Sequence, residues 1–204
     1  MLIAVIGGIH GYAGALEAAL ARIAAQGIHT VLCTGNVAVG GPNPNEAIGL
    51  LRDCRVTCVQ GASDRLAVRA LRKAESMKAR MSEEDFGALQ RAHDVLTSAN
   101  LEFLRSLPRS RTIEIEEFSL YLCHGTVASQ ADSLHEGDSA DRFRRQREAA
   151  NTDIVVCGSD GPAFTRWIDQ TLLVNPGTLA TDDGASFYLV NTEAEPFNAE
   201  IHRA

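Results

Sequence analysis

Short apolar runs rich in Val, Ile and Leu punctuate the chain: LIAVIG, HTVLCTG, RVTCVQG, TIEIEE, FSLYLCHG, TDIVVCG, TLLVNPG and ASFYLVN. Runs of this length, bounded by glycine and polar turn residues, predict buried strands. Between the early runs the apolar spacing changes to that of helices. ALEAALARIAAQG carries an alanine–leucine face and stops at Gly27, and PNPNEAIGLLRDC starts from a Pro/Asn loop. SEEDFGALQRAHDVLTSANLEFLRSLP reads as two helices, the first opened by Ser82 with Asp85 as the partner of a weakened capping box. The first half therefore reads β-α-β-α-β followed by helices. The second half is mostly strands around one polar helix, DSADRFRRQREAAN. This alternation predicts an α/β fold in which βαβ units join late antiparallel strands. With no internal repeat, low-complexity tract or long linker, residues 1–204 read as a single domain, with a helical excursion at about 64–107.

Several of these strands end alike. LIAVI runs into GGIHG, TVLC into TGN, VTCV into QGASD, LYLC into HGT, and IVVC into GSDG. In open α/β sheets ligand sites gather at the carboxyl ends of strands, so a pocket walled by these loops is the site expected from the residues alone. Glycine commonly ends a strand in a turn, and for any one loop that plainer explanation suffices. The recurrence, with histidine in two of the loops, favours a shared pocket.

Composition narrows the classes without choosing among them. At 204 residues, 45% hydrophobic and 22% charged, the chain suits a globular protein with a sizeable core. Its net charge of −7 argues against a nucleic-acid partner. No apolar stretch approaches the ~20 residues of a membrane span, so no membrane partner is expected. The start MLIAVIG lacks a basic flank and does not read as a signal peptide. Five cysteines without framework spacing favour a reducing, cytoplasmic location.

The loops and their order resemble the calcineurin-like metallophosphoesterase superfamily, especially its small prokaryotic phosphodiesterase branch. The family's Asp-x-His-Gly loop is GIHG here, and its Gly-Asp loop is GN, followed by VAVGGPNPNEAI. Its Gly-Asn-His-Asp is GASD, its strand ending in His-Gly is CHG, and its Gly-His-x-His is GSDG, followed later by LLVNPGTL. The fragments GPNPNE and VNPGT are not generic, and the resemblance covers most of the chain. It implies a four-layer αββα sandwich of two mixed β-sheets flanked by helices. It also implies a scaffold for phosphoester hydrolysis with two divalent metals (Mn, Fe, Zn or Ni), and relatives that often self-associate as homo-oligomers.

At the ligand positions the chain departs from the family. The first-loop aspartate is Gly8, the bridging aspartate Asn36, the third-loop asparagine Ala62, the histidine that protonates the leaving group Ser63, and the fifth-loop histidines Ser159 and Gly161. His10 and His124 remain, and Asn36 offers a neutral amide oxygen, so His10, Asn36 and His124 are the residual metal positions. Two dications about 4 Å apart repel by roughly 17 kcal/mol at an effective dielectric of about 20, and anionic ligands must offset that. With no carboxylate at a ligand position, a dinuclear cofactor is not expected. The resemblance then implies a catalytically inactive binding or regulatory pseudoenzyme. Its vestigial pocket would open to a small anion or phosphate-containing ligand. The alternative is a weak or altered phosphoesterase with a non-standard site.

Replacement ligands are the way to that alternative. Asp64 reads as a helix N-cap, and Asp160, placed by strand alternation, as pointing away from the pocket. Cys33, Cys58, Cys123 and Cys157 lie near the strand ends and could form a thiolate site, although small buried cysteines are common core residues. His29, His93, His135 and His202 lie outside the matched loops, and RFRRQRE reads as a solvated helix face. A dinucleotide-binding reading of GGIHGYAG fails on glycine spacing and on the missing acid.

Overall fold

The structure is a computed structural model that describes every residue except 116, 159 and 183, with the backbone alone described over 70–77. In chain order the elements are β1 (Leu2–Ile6), α1 (Ala13–Ala25), β2 (Thr30–Cys33), α2 (Pro44–Asp53), β3 (Thr57–Cys58), α3 (Ala62–Lys78), α4 (Glu83–Val95), α5 (Ser98–Ser106), β4 (Ser110–Ile115), β5 (Phe118–His124), α6 (Ala140–Ala150), β6 (Ile154–Gly158), β7 (Phe164–Ile168), β8 (Thr171–Asn175), β9 (Ala180–Thr181), β10 (Gly184–Asn191) and β11 (Asn198–Arg203). They make two mixed sheets. The first runs β11-β10-β1-β2-β3 with β9 beside β10, and the second β4-β5-β6-β8-β7. Each has a parallel part: β1-β2-β3 at one side of the first sheet, with antiparallel β10 and β11 beyond β1, and β5-β6-β8 at the centre of the second, with antiparallel β4 and β7 on either side.

The apolar runs are continuous because both faces of the central strands are covered. Successive side chains alternate between two cores. Ile3, Val5, Leu32, Leu120, Leu122, Ile154, Val156, Leu172, Val174, Tyr188 and Val190 fill the space between the sheets. Their neighbours Ala4, Ile6, Val31, Cys33 and Phe187 face the other way, onto Leu16 and Ile23 of α1, Ile48 and Leu51 of α2, and Leu104 of α5. On the far side, Cys123, Val155, Cys157 and Leu173 pack on Phe143 of α6. This is the expected four-layer sandwich of two sheets flanked by helices.

Local signals explain the helix ends. The Ser82 hydroxyl caps α4 by accepting from the Asp85 amide at 3.1 Å and donates to the Asp85 carboxylate at 2.6 Å. Thr97 and Ser139 cap α5 and α6 in the same way. Gly27, at φ +70°, turns the chain out of α1. His93 of α4 donates from Nδ1 to the Ala67 carbonyl at 2.9 Å, so this histidine pins α4 to α3. Among the described residues no helix is long and apolar enough to cross a membrane.

Leu104 is fully buried where α5 meets the first sheet. Leu104→Ala should lower unfolding free energy by about 2–5 kcal/mol. A lower urea midpoint with an unchanged slope is the expected readout.

Candidate functional site

The loops that carry the candidate residues leave the carboxyl ends of neighbouring parallel strands, so pairing brings them together. β1 and β2 end side by side at Ile6 and Cys33, and β5 and β6 at His124 and Gly158. The first loop then runs along the second through backbone bonds. The amides of Gly8, His10 and Gly11 donate to the carbonyls of Gly35, Asn36 and Val37 at 3.2, 2.8 and 2.7 Å. This path holds His10 and Asn36 in the left-handed region at φ +51° and +54°. Such conformations are rare for non-glycine residues and persist where surrounding bonds over-determine them.

At the centre of the site lies a closed set of polar contacts. His10 Nδ1 is 2.9 Å from the Val39 carbonyl and Nε2 is 2.6 Å from Asp160 Oδ1. A carbonyl and a carboxylate both only accept, so both contacts are hydrogen bonds when each ring nitrogen carries a proton, the imidazolium form of His10. The Asn36 amide nitrogen donates to both Asp160 oxygens at 3.0 and 3.1 Å. Its oxygen accepts from the Ser63 amide at 3.0 Å and the Ser63 hydroxyl at 2.8 Å. The Ser63 amide can only donate, which fixes the orientation of the Asn36 side chain.

The electrostatics follow from these contacts. Burial would lower the His10 pKa, but the hydrogen bond and charge of Asp160, the Val39 carbonyl and the charge of Asp64 together raise it. Burial likewise works to raise Asp160, yet its bonds to His10 and Asn36, with the charges of His10 and His124, hold it below the usual carboxylate value. His124 moves the other way. It is buried, which lowers its pKa, against the pull of the Thr34 carbonyl that accepts from Nδ1 at 2.8 Å. Two histidines from neighbouring loops are thus pushed apart, one toward the cation and one toward the neutral ring.

Two expectations about acids are corrected here. Asp160 does not point away. β6 ends at Gly158, so the alternation of a strand no longer applies, and the bend before β7 turns the carboxylate onto His10 and Asn36. Asp64 is structural, as expected, but it sits inside the first turn of α3 rather than at its N-cap. Its fully buried carboxylate accepts from the Gly61 amide at 3.0 Å and from the Val37 and Ala38 amides at 2.8 and 3.2 Å. Burial raises its pKa against those three bonds.

Ser159 lies outside the described residues. Ala62 opens α3 beside Ser63. Gly161, at φ +121°, exchanges bonds with Thr178, donating to its hydroxyl at 3.3 Å and accepting from its amide at 3.2 Å. Thr178 also closes the place of the family's first aspartate. A Cβ on Gly8 would lie 2.9 Å from Thr178 Cα, and Gly8 is at φ +54°. Thr178 went unnoticed in the sequence, although it belongs to the quoted VNPGT fragment. The thiolate alternative meets a chemical obstacle. The Cys33 hydrogen bond and burial push the Cys58 thiol up, burial pushes Cys157 well up, and burial takes Cys123 to about 12.

The donor set does not fit two dications. Among the described residues one carboxylate, that of Asp160, bonds to the candidate ligand side chains, and it is shared by His10 and Asn36. His10 offers no lone pair, and the Asn36 oxygen is taken by Ser63. Among the described residues no group of three or more His, Cys, Asp or Glu is arranged to hold a metal ion.

Comparison with known proteins places this geometry in context. A family model described as the calcineurin-like phosphoesterase superfamily domain matches residues 1–195. A probable metallophosphoesterase of Methanothermobacter thermautotrophicus is 30% identical over 98 residues, 47% of this chain and 53% of that protein. The chain spans about half the length of the curated relatives it matches. A hypothetical protein of Pyrococcus horikoshii shares the fold with a TM-score of 0.87 at 19% identity, over 100% of this chain and 87% of that one. Vps29 of Entamoeba histolytica, solved in complex with zinc, superposes with a TM-score of 0.56 at 19% identity, over 99% and 98% of the two chains.

The His10–Asp160 pair makes a signed prediction. The imidazole of His10 should titrate above 6.5 and that of His124 below it, read by NMR, and Asp160→Asn should lower the His10 midpoint. For stability, the raised His10 pKa contributes fully below 6.5 and is lost as pH rises through the folded value. The lowered Asp160 pKa contributes above 3.8 and is lost as pH falls through the folded value. The destabilisation by Asp160→Asn, measured in urea, should therefore be largest between those two reference values.

Proposed function

The chain belongs to the calcineurin-like phosphoesterase superfamily, and from that premise we propose that it is a binding or regulatory member without two-metal hydrolysis. The observation that carries this reading is the imidazolium–carboxylate pair of His10 and Asp160. Superfamily members use divalent metals whose charge is balanced by carboxylates. Here, among the described residues, the carboxylate at the site pairs with a histidine from a residual ligand position. Asn36, at the bridging position, gives its donor to Asp160 and its oxygen to Ser63. Restoring the first-loop acid would need the Thr178 backbone to move.

A second reading keeps a weak or altered phosphoesterase with a non-standard site. What favours it is that Asp160 does turn inward, toward His10 and Asn36, with His124 neutral nearby. A single dication would have to displace a proton from His10 and compete with the Asn36 amide for Asp160. That competition ranks this reading second.

The test is metal analysis of protein purified without chelator, with an assay of a chromogenic phosphodiester in added manganese. The expected result is less than stoichiometric metal and no turnover above background. Asn36→Asp alone should not restore it, because ligands that act as a unit do not contribute additively. Two bound metals per chain, or turnover abolished by His124→Ala, would reverse the order of the two readings.

A further inference from the structure

We infer that a groove at the end of the sandwich opposite the candidate site is a docking surface for a basic peptide segment of a partner protein, one with an apolar residue among its lysines and arginines. The inference goes beyond the proposed function and does not rest on it. The groove has a volume of about 870 Å³. It is walled by the residues just before β5 and β6, the β7–β8 turn and the β10–β11 turn, so both sheets contribute to it. β5 starts in the groove at Phe118 and ends at the candidate site with His124. Its seven residues put the two about 20 Å apart.

The floor is aromatic. Phe118 and Phe197 meet there with ring centroids 5.3 Å apart. Trp167 of the edge strand β7 lines the same groove and is 40% exposed. Exposed tryptophan over an apolar floor is a common centre of protein-binding surfaces. The rim is acidic. Glu117, Asp153, Asp169, Glu193 and Glu195 line it, and no lysine or arginine does so among the described residues. Three of these acids are already engaged. Asp169 pairs with Arg147 at 3.2 Å, Glu193 with the Met1 amino group at 3.3 Å, and Asp153 accepts from the Ser119 amide and hydroxyl at 2.8 and 3.0 Å. Glu117 and Glu195 form no ion pair with a described residue.

The groove thus carries an excess of negative charge around an apolar floor. The occupant that complements it places cations on either side of an apolar group. Arginine suits it twice over, since a guanidinium pairs with carboxylates and stacks on aromatic rings. A groove that runs across both sheets fits an extended chain. A second copy of this chain is a poorer match. Its net charge is −7, and Arg142, Arg144 and Arg147 of its basic helix α6 already pair with acids of their own chain. Like charges brought face to face oppose association.

Trp167 is the chain's one tryptophan, so its fluorescence reports on the groove directly. Titration at neutral pH and low salt with the peptide acetyl-KRLKR-amide should shift the emission and saturate, with affinity falling as salt is raised. Acetyl-KRGKR-amide, which lacks the apolar residue, should bind about threefold more weakly or worse. Acetyl-EELEE-amide should not bind. Glu117→Gln/Glu195→Gln should weaken binding of the first peptide by about threefold or more, and Trp167→Ala, followed by calorimetry, by about tenfold. Glu17→Gln, which removes an exposed charge from α1, should leave it unchanged. Should Trp167→Ala impair folding, the two glutamates, at exposed positions, carry the test. Absence of binding to the wild type, retention of affinity in the glutamate variant, or equal affinity for the glycine or the acidic peptide would overturn the inference. An emission shift that follows protein concentration without peptide, matched by dimerisation in sedimentation, would overturn it in favour of a second copy in the groove.

Discussion

The site depends on one buried carboxylate. Asp64, inside the first turn of α3, collects the amides of Gly61, Val37 and Ala38 and so ties the second loop to the third. Full burial opposes its charge, and three charge-assisted bonds compensate. Everything polar at the site hangs from the segments it joins. Asn36 precedes two of the amides, Ser63 precedes the acid, and the first loop runs along residues 35–37 through its own backbone bonds. The junction is close-packed as well, since a Cβ on Gly61 would lie 2.1 Å from the Asn36 amide nitrogen.

That framework consists of one acid and backbone amides, so it does not rely on the side chains at positions 8, 36, 62 and 63. Position 64 keeps its acid and its structural bonds while Gly8, Asn36, Ala62 and Ser63 carry small or neutral groups. Asn36 and Ser63 bond to each other, and His10 finds Asp160. Polar groups that face a common space must be satisfied, by an ion or by one another. Here they satisfy one another, while elsewhere Arg65 Nε and Gln130 Oε1 are buried without a partner among the described residues.

The histidines show how placement sets chemistry. His10 sits on a loop with acceptors at both nitrogens and gains a proton. His124 sits at the end of a buried strand with one carbonyl partner and tends to lose it. Gly7 and Gly8 carry His10 off the end of β1, whereas His124 is the last residue of β5 itself.

The sequence by itself made the central strands legible, because residues buried on both faces must be apolar at every position, as in IAVI and IVVC. It determined the caps at Ser82 and the stop at Gly27, which act over one turn of chain. It determined family membership, since the glycine loops and the GPNPNE and VNPGT fragments follow in order. It did not disclose β7 (FTRWI) or β11 (NAEIHR), edge strands with one face to solvent and mixed side chains, nor the two-residue β9. Where Asp160 points was left to the tertiary structure, because alternation holds within a ladder and β6 ends two residues earlier, at Gly158. Only the tertiary structure set Thr178 against Gly8 and Arg65 beside Arg109. Those pairs are distant in the chain, and each joins segments attached to different sheets, so the packing of one sheet on the other is what brings them together.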